Sequence, residues 1–288
     1  MDKFTFYDLR KGTSSVDIDV LFPDWKAKQE CVAVFGAHDD DPLLGAGYAI
    51  AAALENSAEV FIVIFCQGDC GYSDPGQKGS IVETRRKENE NAMVRFGIKK
   101  ENIIRFEYPD LSLGNFKGKQ TINGDAGAFM RILDLIRNNG ITRALIPNGY
   151  REHSDHTAAY DICAEDIIQC GDPIVSDQGK AIQIVKTFLQ YSVWADFSPA
   201  DAFLNGDKDA IIRANRAITC PESVEEQVFA ALREYNSQGR IIEDLMEQRR
   251  NRRSAAGFLE LYIDLDPRPK LEYAPYVKLV EDISKRGV

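Results

Sequence analysis

The sequence predicts an α/β fold in which helices flank a mostly parallel, Rossmann-like sheet. The main observation is that short apolar runs alternate with stretches of helical periodicity from residue 32 to residue 170. Such alternation is typical of parallel strands joined by right-handed crossovers. A second observation is the length of 288 residues without a repeat or a low-complexity linker, which fits one large domain or one domain with an extension.

Four buried strands are predicted where apolar residues run together without helical spacing. They cover residues 32–35, 60–65, 103–106 and 144–146. We expect them in the order 3-2-1-4 at the core of the sheet. The first and fourth strands are then neighbours, and their connections leave on opposite sides, which opens a crevice at their carboxyl ends.

Helices are predicted between these strands. Asp41 and Pro42 provide an N-cap acid and a proline at the first position of a helix that extends to Leu54. Further helices are expected over residues 81–96, 125–137 and 157–169. The last third is less regular, with one or two strands over 182–194, helix over 221–248 and an extended segment over 258–266.

Composition excludes several classes of protein. Hydrophobic residues make up 44% and charged residues 28%, which is ordinary for a globular chain. A net charge of −10 makes the chain a poor binder of phosphate backbones, so no nucleic-acid partner is expected. No apolar run is long enough to span a membrane, and the first residues lack the apolar core of a signal peptide. We therefore expect a cytoplasmic protein, with its oligomeric state open.

The three histidines carry most of the chemical information. His38 follows the first strand, and His153 and His156 follow the fourth. The glycine motif of dinucleotide-binding folds is missing from the first turn, and the three consecutive carboxylates there would repel a pyrophosphate but attract a cation. A crevice at the carboxyl ends of strands one and four would bring together a set of imidazoles and carboxylates, namely His38, Asp40, Asp41, His153, Asp155 and His156.

Two histidines and a carboxylate that leave one position open are typical of a catalytic zinc site. Each motif also has a simpler explanation, because Asp41 can be only a helix cap and the second motif only a solvated turn. Those explanations leave unexplained why every histidine falls in two loops that are predicted to meet.

These motifs resemble those of the PIG-L/LmbE-like family of zinc-dependent N-acetylglucosaminyl deacetylases. The family motif Ala-His-Pro-Asp-Asp-Glu corresponds to residues 37–42, Ala-His-Asp-Asp-Asp-Pro, and its motif His-Pro-Asp-His corresponds to residues 153–156, His-Ser-Asp-His. The resemblance extends from about residue 31 to about residue 240 through weaker matches: Arg85-x-x-Glu88-x-x-x-Ala92, Tyr108-Pro-Asp110 and Ala231-Leu-x-x-Tyr235-x-Ser237-Gln238.

The resemblance implies a role for each matching residue. His38, Asp41 and His156 would bind Zn²⁺, although calcium or magnesium could replace it where that ion dominates. Asp40 would act as the general base. His153 would support the oxyanion or protonate the leaving amine, with Asp155 orienting it through a hydrogen bond. Arg85 and Asp110 would face the substrate.

The implied reaction is removal of an N-acetyl group from an N-acetylglucosamine-type sugar by a zinc-bound water, which gives acetate and a free amine. The whole chain, residues 1–288, would form one deacetylase domain, with the catalytic core at about 31–170 and a C-terminal elaboration at about 171–288. Hydrolysis of a different amide or ester, and an inactive metal- or sugar-binding module, are the alternatives.

Four departures from the family motifs bear on these expectations. Asp39 and Ser154 replace prolines, Pro42 replaces the last glutamate of the first motif, and Arg151 stands where the family often has a tyrosine. Asp39 is expected to add negative charge beside the metal. Separately, the basic stretch 249–253 suits either an anion clamp or, more simply, a solvated helix face.

Overall fold

The computed structural model describes residues 4–175, 183–206 and 211–286. Within them the strands form one mixed sheet. In chain order they are β1 (Thr5–Asp8), β2 (Thr13–Ser15), β3 (Cys31–Gly36), β4 (Glu59–Cys66), β5 (Ile103–Tyr108), β6 (Arg143–Pro147), β7 (Thr187–Tyr191), β8 (Arg216–Cys220), β9 (Arg253–Ser254) and β10 (Gly257–Asp264). The sheet order is β2-β1-β8-β10-β7-β6-β3-β4-β5, and β9 pairs with β10.

One half of the sheet is parallel and the other half is antiparallel. Strands β5, β4, β3, β6 and β7 pair in parallel, and the first four of them lie in the order 3-2-1-4 when counted as in the sequence prediction. All pairs on the other side of β7 are antiparallel. The expectation of a mostly parallel sheet is therefore wrong, because short apolar runs indicate burial but do not show the direction in which strands pair.

Helices cover both faces of the sheet. They are α1 (Asp41–Glu55), α2 (Ile81–Arg95), α3 (Ala128–Asn139), α4 (Ser154–Asp166), α5 (Pro199–Leu204), α6 (Glu222–Leu232) and α7 (Gly239–Arg250). A further helix, α8 (Ala274–Lys285), has no buried residue. Strand β3 shows why both faces need cover: Val32 and Val34 belong to one hydrophobic cluster, whereas Ala33 and Phe35 belong to the other. The sequence of a strand that is buried on both sides is a continuous run of apolar residues.

Several predicted boundaries are corrected. The helix expected over 221–248 is two helices, α6 and α7, with a short 3-10 turn (Asn236–Gln238) before α7. The segment predicted at 182–194 contains one strand, β7, and residue 182 lies outside the described residues. Within the described residues, no helix combines the length and the apolar character that crossing a membrane requires.

The start of α1 differs from the prediction in a way that matters for the site. Asp40, rather than Asp41, occupies the N-cap position, and its side chain makes no capping hydrogen bond. The Asp41 carboxylate turns back instead and accepts a hydrogen bond from the backbone N–H of His38 at 2.7 Å. This bond closes the turn after β3 and directs a carboxylate towards the histidines.

Candidate active site

The turn after β3 and the loop after β6 meet because β3 and β6 are parallel neighbours, with Val34 opposite Leu145. The His38 Nδ1 atom lies 3.3 Å from His156 Nε2, and His156 Nε2 lies 3.2 Å from Asp41 Oδ1. His38 Nδ1 is 3.8 Å from the second Asp41 oxygen. The residues expected to share one ion are thus in contact.

These spacings fit a tetrahedral zinc site. Ligand atoms about 2.0–2.1 Å from a tetrahedral ion lie about 3.3 Å from one another. The two shortest donor separations of the group, 3.2 and 3.3 Å, match this edge. Two imidazole nitrogens and one carboxylate oxygen are also a donor set that zinc accepts.

Glu152 orients His156, and the sequence analysis did not identify it. Its side chain is fully buried, and one carboxylate oxygen lies 2.6 Å from His156 Nδ1. The other oxygen accepts hydrogen bonds from the Ser192 hydroxyl and from the backbone N–H groups of residues 193–195. Because a carboxylate only accepts, His156 keeps a proton on Nδ1, which leaves Nε2, beside Asp41, as the nitrogen that can bind a metal when it gives up its own proton.

Electrostatics in this group favour positive charge between the carboxylates. Burial alone would lower the pKa of His156, but Asp41 and Glu152 outweigh it and raise that pKa to about 10. Burial alone would likewise raise the pKa of Asp41, but His156 and His38 outweigh it and lower that pKa to about 2. The carboxylates of Asp41 and Glu152, on either side of the His156 imidazole, therefore favour a cation at this place.

Asp155 does not orient His153 in the expected way. The shortest approach of its carboxylate to His153 Nδ1 is 3.6 Å, which is longer than a hydrogen bond. The backbone N–H of Asp155 instead donates to His153 Nδ1 at 3.2 Å, so neutral His153 carries its proton on Nε2. The Asp155 carboxylate accepts from the backbone N–H groups of Leu111 and Leu113 and lies 3.4 Å from His38 Nε2.

A second group of metal-binding type overlaps the first. His38, His153 and Asp155 also place donor atoms within reach of a common point. In this group, however, the Asp155 carboxylate already accepts from two backbone N–H groups and His153 Nδ1 accepts from a third. In the group of His38, Asp41 and His156, fewer backbone N–H groups donate to the side-chain atoms that would bind a metal.

Asp39 points away from the candidate metal position, contrary to expectation. Its side chain is fully buried, and it pairs with Arg85 at 2.8 Å and with Arg105. Two guanidinium groups therefore balance its charge. The departure from the family's proline provides an ion-pair network below the site instead of extra negative charge beside the metal.

Arg85 and Asp110, the residues predicted to face the substrate, line a cleft of about 350 Å³ beside the donors. His38, Asp40, Asp41 and His153 line the same cleft. Arg85 is buried there and lies 3.6 Å from Asp40. Burial raises the pKa of the Asp40 carboxyl and Asp41 adds to this, although Arg85 opposes it. Asp110 accepts from the backbone N–H groups of Gly68 and Cys70 at 2.8 and 2.9 Å, so it holds the loop after β4 against the cleft.

The weaker sequence matches are explained by contacts between α2 and the turn before α7. The Ser237 hydroxyl and backbone N–H both donate to Glu88. The Tyr235 hydroxyl donates to the backbone carbonyl of Asp39 at 2.7 Å. These bonds connect the C-terminal third to the first motif. Arg151, by contrast, is exposed and packs on Tyr150.

The fold and the donor set define a class: an α/β domain with a candidate cation site where two loops meet at the carboxyl ends of neighbouring parallel strands. Residues 33–166 match the family model of PIG-L, described as GlcNAc-PI de-N-acetylase. This segment is a PIG-L family domain, as the resemblance of the two motifs indicated. No curated protein matches the chain significantly.

Three solved structures share the fold, each with a TM-score of 0.60. A conserved protein from Thermus thermophilus is 18% identical, and the alignment covers 84% of this chain and 96% of that one. N,N'-diacetylchitobiose deacetylase from Pyrococcus horikoshii is 17% identical, with 85% and 88% covered. The 4-carboxy-2-hydroxymuconate hydratase GalB from Pseudomonas putida is 18% identical, with 85% and 100% covered. Because a deacetylase and a hydratase both appear, this likeness shows the fold alone.

Proposed function

We propose that this protein is a zinc-dependent N-deacetylase that hydrolyses the N-acetyl group of an N-acetylglucosamine-type sugar or conjugate. The observation that carries the proposal is the spacing of His38, Asp41 and His156 beside a cleft that Asp40 also lines. The PIG-L domain over residues 33–166 supports the reaction class.

His38 Nδ1, an Asp41 oxygen and His156 Nε2 would hold the ion. This group is favoured over His38, His153 and Asp155 because the backbone hydrogen bonds to Asp155 and His153 already use lone pairs that a metal would need. A divalent ion bound there supplies Lewis acidity, which makes water more acidic and polarises an acyl oxygen.

Asp40 would hold the proton that water gives up during attack on the amide. It lies in the cleft next to Asp41, and its raised pKa suits a general base better than an ordinary aspartate pKa would. His153 would support the oxyanion through a hydrogen bond from Nε2, the nitrogen that carries its proton in the neutral ring, and Asp40 would pass the proton taken from water to the leaving amine. Asp155 would act indirectly, by holding the 111–113 loop and His38 in place.

Arg85 and Asp110 would contact the sugar. The Arg85 Nη1 atom is buried without a hydrogen-bond partner among the described residues, and a buried unsatisfied donor is costly. A sugar hydroxyl in the cleft would satisfy it. We propose that residues 1–288 act as one domain, because β7, β8 and β10 continue the same sheet as the PIG-L segment.

A panel of N-acetylated sugars with an amine-release readout tests this function. Each sugar is assayed with the zinc-loaded protein, with chelator-treated protein and after zinc is added back. We expect amine release from at least one N-acetylglucosamine compound, loss with chelator and recovery with zinc. The Asp40→Asn variant is the control for background hydrolysis, and equal rates in that variant and the wild type would refute the proposal.

A further inference from the structure

A second cavity adjoins the catalytic cleft and is not used by the reaction described above. Its volume is about 550 Å³, within the usual range for small-molecule sites. Trp194 and Leu245 line both the cavity and the cleft, so the two spaces share a wall. The Trp194 ring packs on the His156 ring at a centroid distance of 4.9 Å and therefore lies between the metal donors and the cavity.

The topology explains why the cavity lies next to the site. The 192–197 loop follows the carboxyl end of β7, and β10 runs antiparallel to β7, with Tyr262 opposite Tyr191. Leu261, one residue earlier on β10, is therefore level with the start of that loop. The cavity is at the same edge of the sheet as the candidate metal site, and α7 forms its outer wall.

The walls of the cavity are mainly apolar, with Leu9, Val193, Leu245, Leu259 and Leu261 among them. Three cations also line it, but each is already partnered. Arg213 lies 3.1 Å from Asp196. Arg249 is buried and bonds to Glu225 and Glu260, and Arg252 lies 3.5 Å from Glu260 and donates to the carbonyl of Leu44. Three guanidinium groups are thus matched by three carboxylates, which disfavours an anionic occupant.

These contacts also correct the sequence interpretation of residues 249–253. The stretch is neither an anion clamp nor simply a solvated helix face, because Arg249 is part of a buried ion-pair network that joins α6, α7 and β10. The network fixes the end of α7 and with it one wall of the cavity.

We infer that this cavity binds an apolar substituent of the substrate, an alkyl or aromatic group that reaches past Trp194 from the scissile amide. The inference rests on the proposed function for the position of the amide and goes further by assigning the substrate an apolar part. The group belongs either to the acyl chain or to the aglycone of the sugar.

Binding of three ligands separates these sources and does not depend on turnover. Methyl N-acetylglucosaminide has neither apolar group, octyl N-acetylglucosaminide has an apolar aglycone, and N-octanoylglucosamine has an apolar acyl chain. Calorimetry below micelle-forming concentrations uses the Asp40→Asn variant, so that no ligand is consumed. Each buried methylene tightens binding by up to about fourfold, and we expect one octyl ligand to bind at least about tenfold tighter than the methyl ligand.

The Leu261→Asp variant places a charge in the cavity at a position that is 41% exposed and outside the catalytic cleft. It should abolish the octyl preference and leave binding of the methyl ligand unchanged. Val94→Asp is the matched control, because Val94 is a similarly exposed apolar residue on α2, and this variant should keep the preference. Trp194 fluorescence in a Trp25→Phe background should shift with the preferred octyl ligand, since these are the only two tryptophans.

The outcomes distinguish the two proposals. Equal affinity for all three ligands, or an octyl preference that survives in Leu261→Asp, overturns the apolar site. An octyl preference that Leu261→Asp removes, with no amine release by the zinc-loaded wild type from any ligand, upholds the apolar site and overturns the proposed deacetylation.

Discussion

Glu152 lies 2.6 Å from Nδ1 of His156 through one carboxylate oxygen, while its other oxygen accepts three backbone N–H groups and a serine hydroxyl. This arrangement joins the loop after β7 to the candidate metal site. Carboxylates that hold a ligating histidine in this way fix its tautomer, and their loss typically costs about 10–100-fold in metal affinity.

The Glu152→Gln variant tests this relationship. The backbone N–H groups require an oxygen, so the amide nitrogen of glutamine must face His156 Nδ1. His156 would then carry its proton on Nε2, where it cannot bind a metal. We expect at least about tenfold weaker zinc binding in a chelator competition. Glu165→Gln, on the exposed side of α4, should bind zinc as the wild type does, and unchanged affinity in Glu152→Gln would exclude the orienting role.

Asp40 and Asp41 are adjacent but should respond differently to the same substitution. Asp41→Asn should weaken zinc binding, because its carboxylate contacts both His156 and the His38 backbone. Asp40→Asn should keep the metal and lose turnover, because an amide cannot accept the proton from water. A general base contributes typically about 10²–10⁴-fold, and the loss should fall on kcat more than on KM.

Zinc content and steady-state kinetics, measured on the same preparations, separate these effects. Asp40 is not the base if Asp40→Asn retains activity within a few-fold of the wild type. Asp39 is then not a substitute, because it is fully buried and paired with two arginines.

Particular residues show what the sequence could predict. The four core strands and the meeting of the two histidine loops followed from apolar runs and from the rule that ligands bind at such crevices. The Asp39 ion pairs were not predicted, because Arg85 and Arg105 are distant in sequence. Glu152 was not predicted either, because most of its partners are backbone groups of a distant loop. The edge strand β2 and its neighbour β1 were missed because they are short and Thr13–Ser15 is entirely polar.

Asp39→Asn should lower stability much more than a surface substitution of the same kind. It would remove the one buried charge that Arg85 and Arg105 share, and breaking a buried pair typically costs about 3–5 kcal/mol. The control is Asp161→Asn, which removes a half-exposed pair with Lys117 and should cost at most about 1 kcal/mol. Urea unfolding measures both, and similar small losses would show that the Asp39 network does not stabilise the fold.

The Glu30 ion pair predicts how stability depends on pH. Glu30 is fully buried beside β3 and bonds to Arg143 on β6 at 3.0 and 3.1 Å and to Thr142 at 2.5 Å. Burial alone would raise the pKa of the Glu30 carboxyl, but the hydrogen bonds from Arg143 and Thr142 outweigh it and lower that pKa to about 2. A carboxyl whose pKa is lower in the folded state stabilises the protein above its unfolded pKa, and this stabilisation is lost as the pH falls towards the folded value.

We therefore expect Glu30→Gln to reduce the free energy of unfolding by about 3 kcal/mol at pH 6 to 7. The difference from the wild type should shrink steadily between about pH 4.5 and pH 2, because the wild-type carboxyl then loses its charge. Urea unfolding at a series of pH values measures this difference. Glu83→Gln, which removes an exposed pair with Arg86, is the control and should change stability by no more than about 1 kcal/mol at any of these pH values. A Glu30→Gln difference that stays constant down to pH 2.5 would show that the Glu30 charge does not contribute, and that the side chain stabilises the sheet only through its shape and neutral hydrogen bonds.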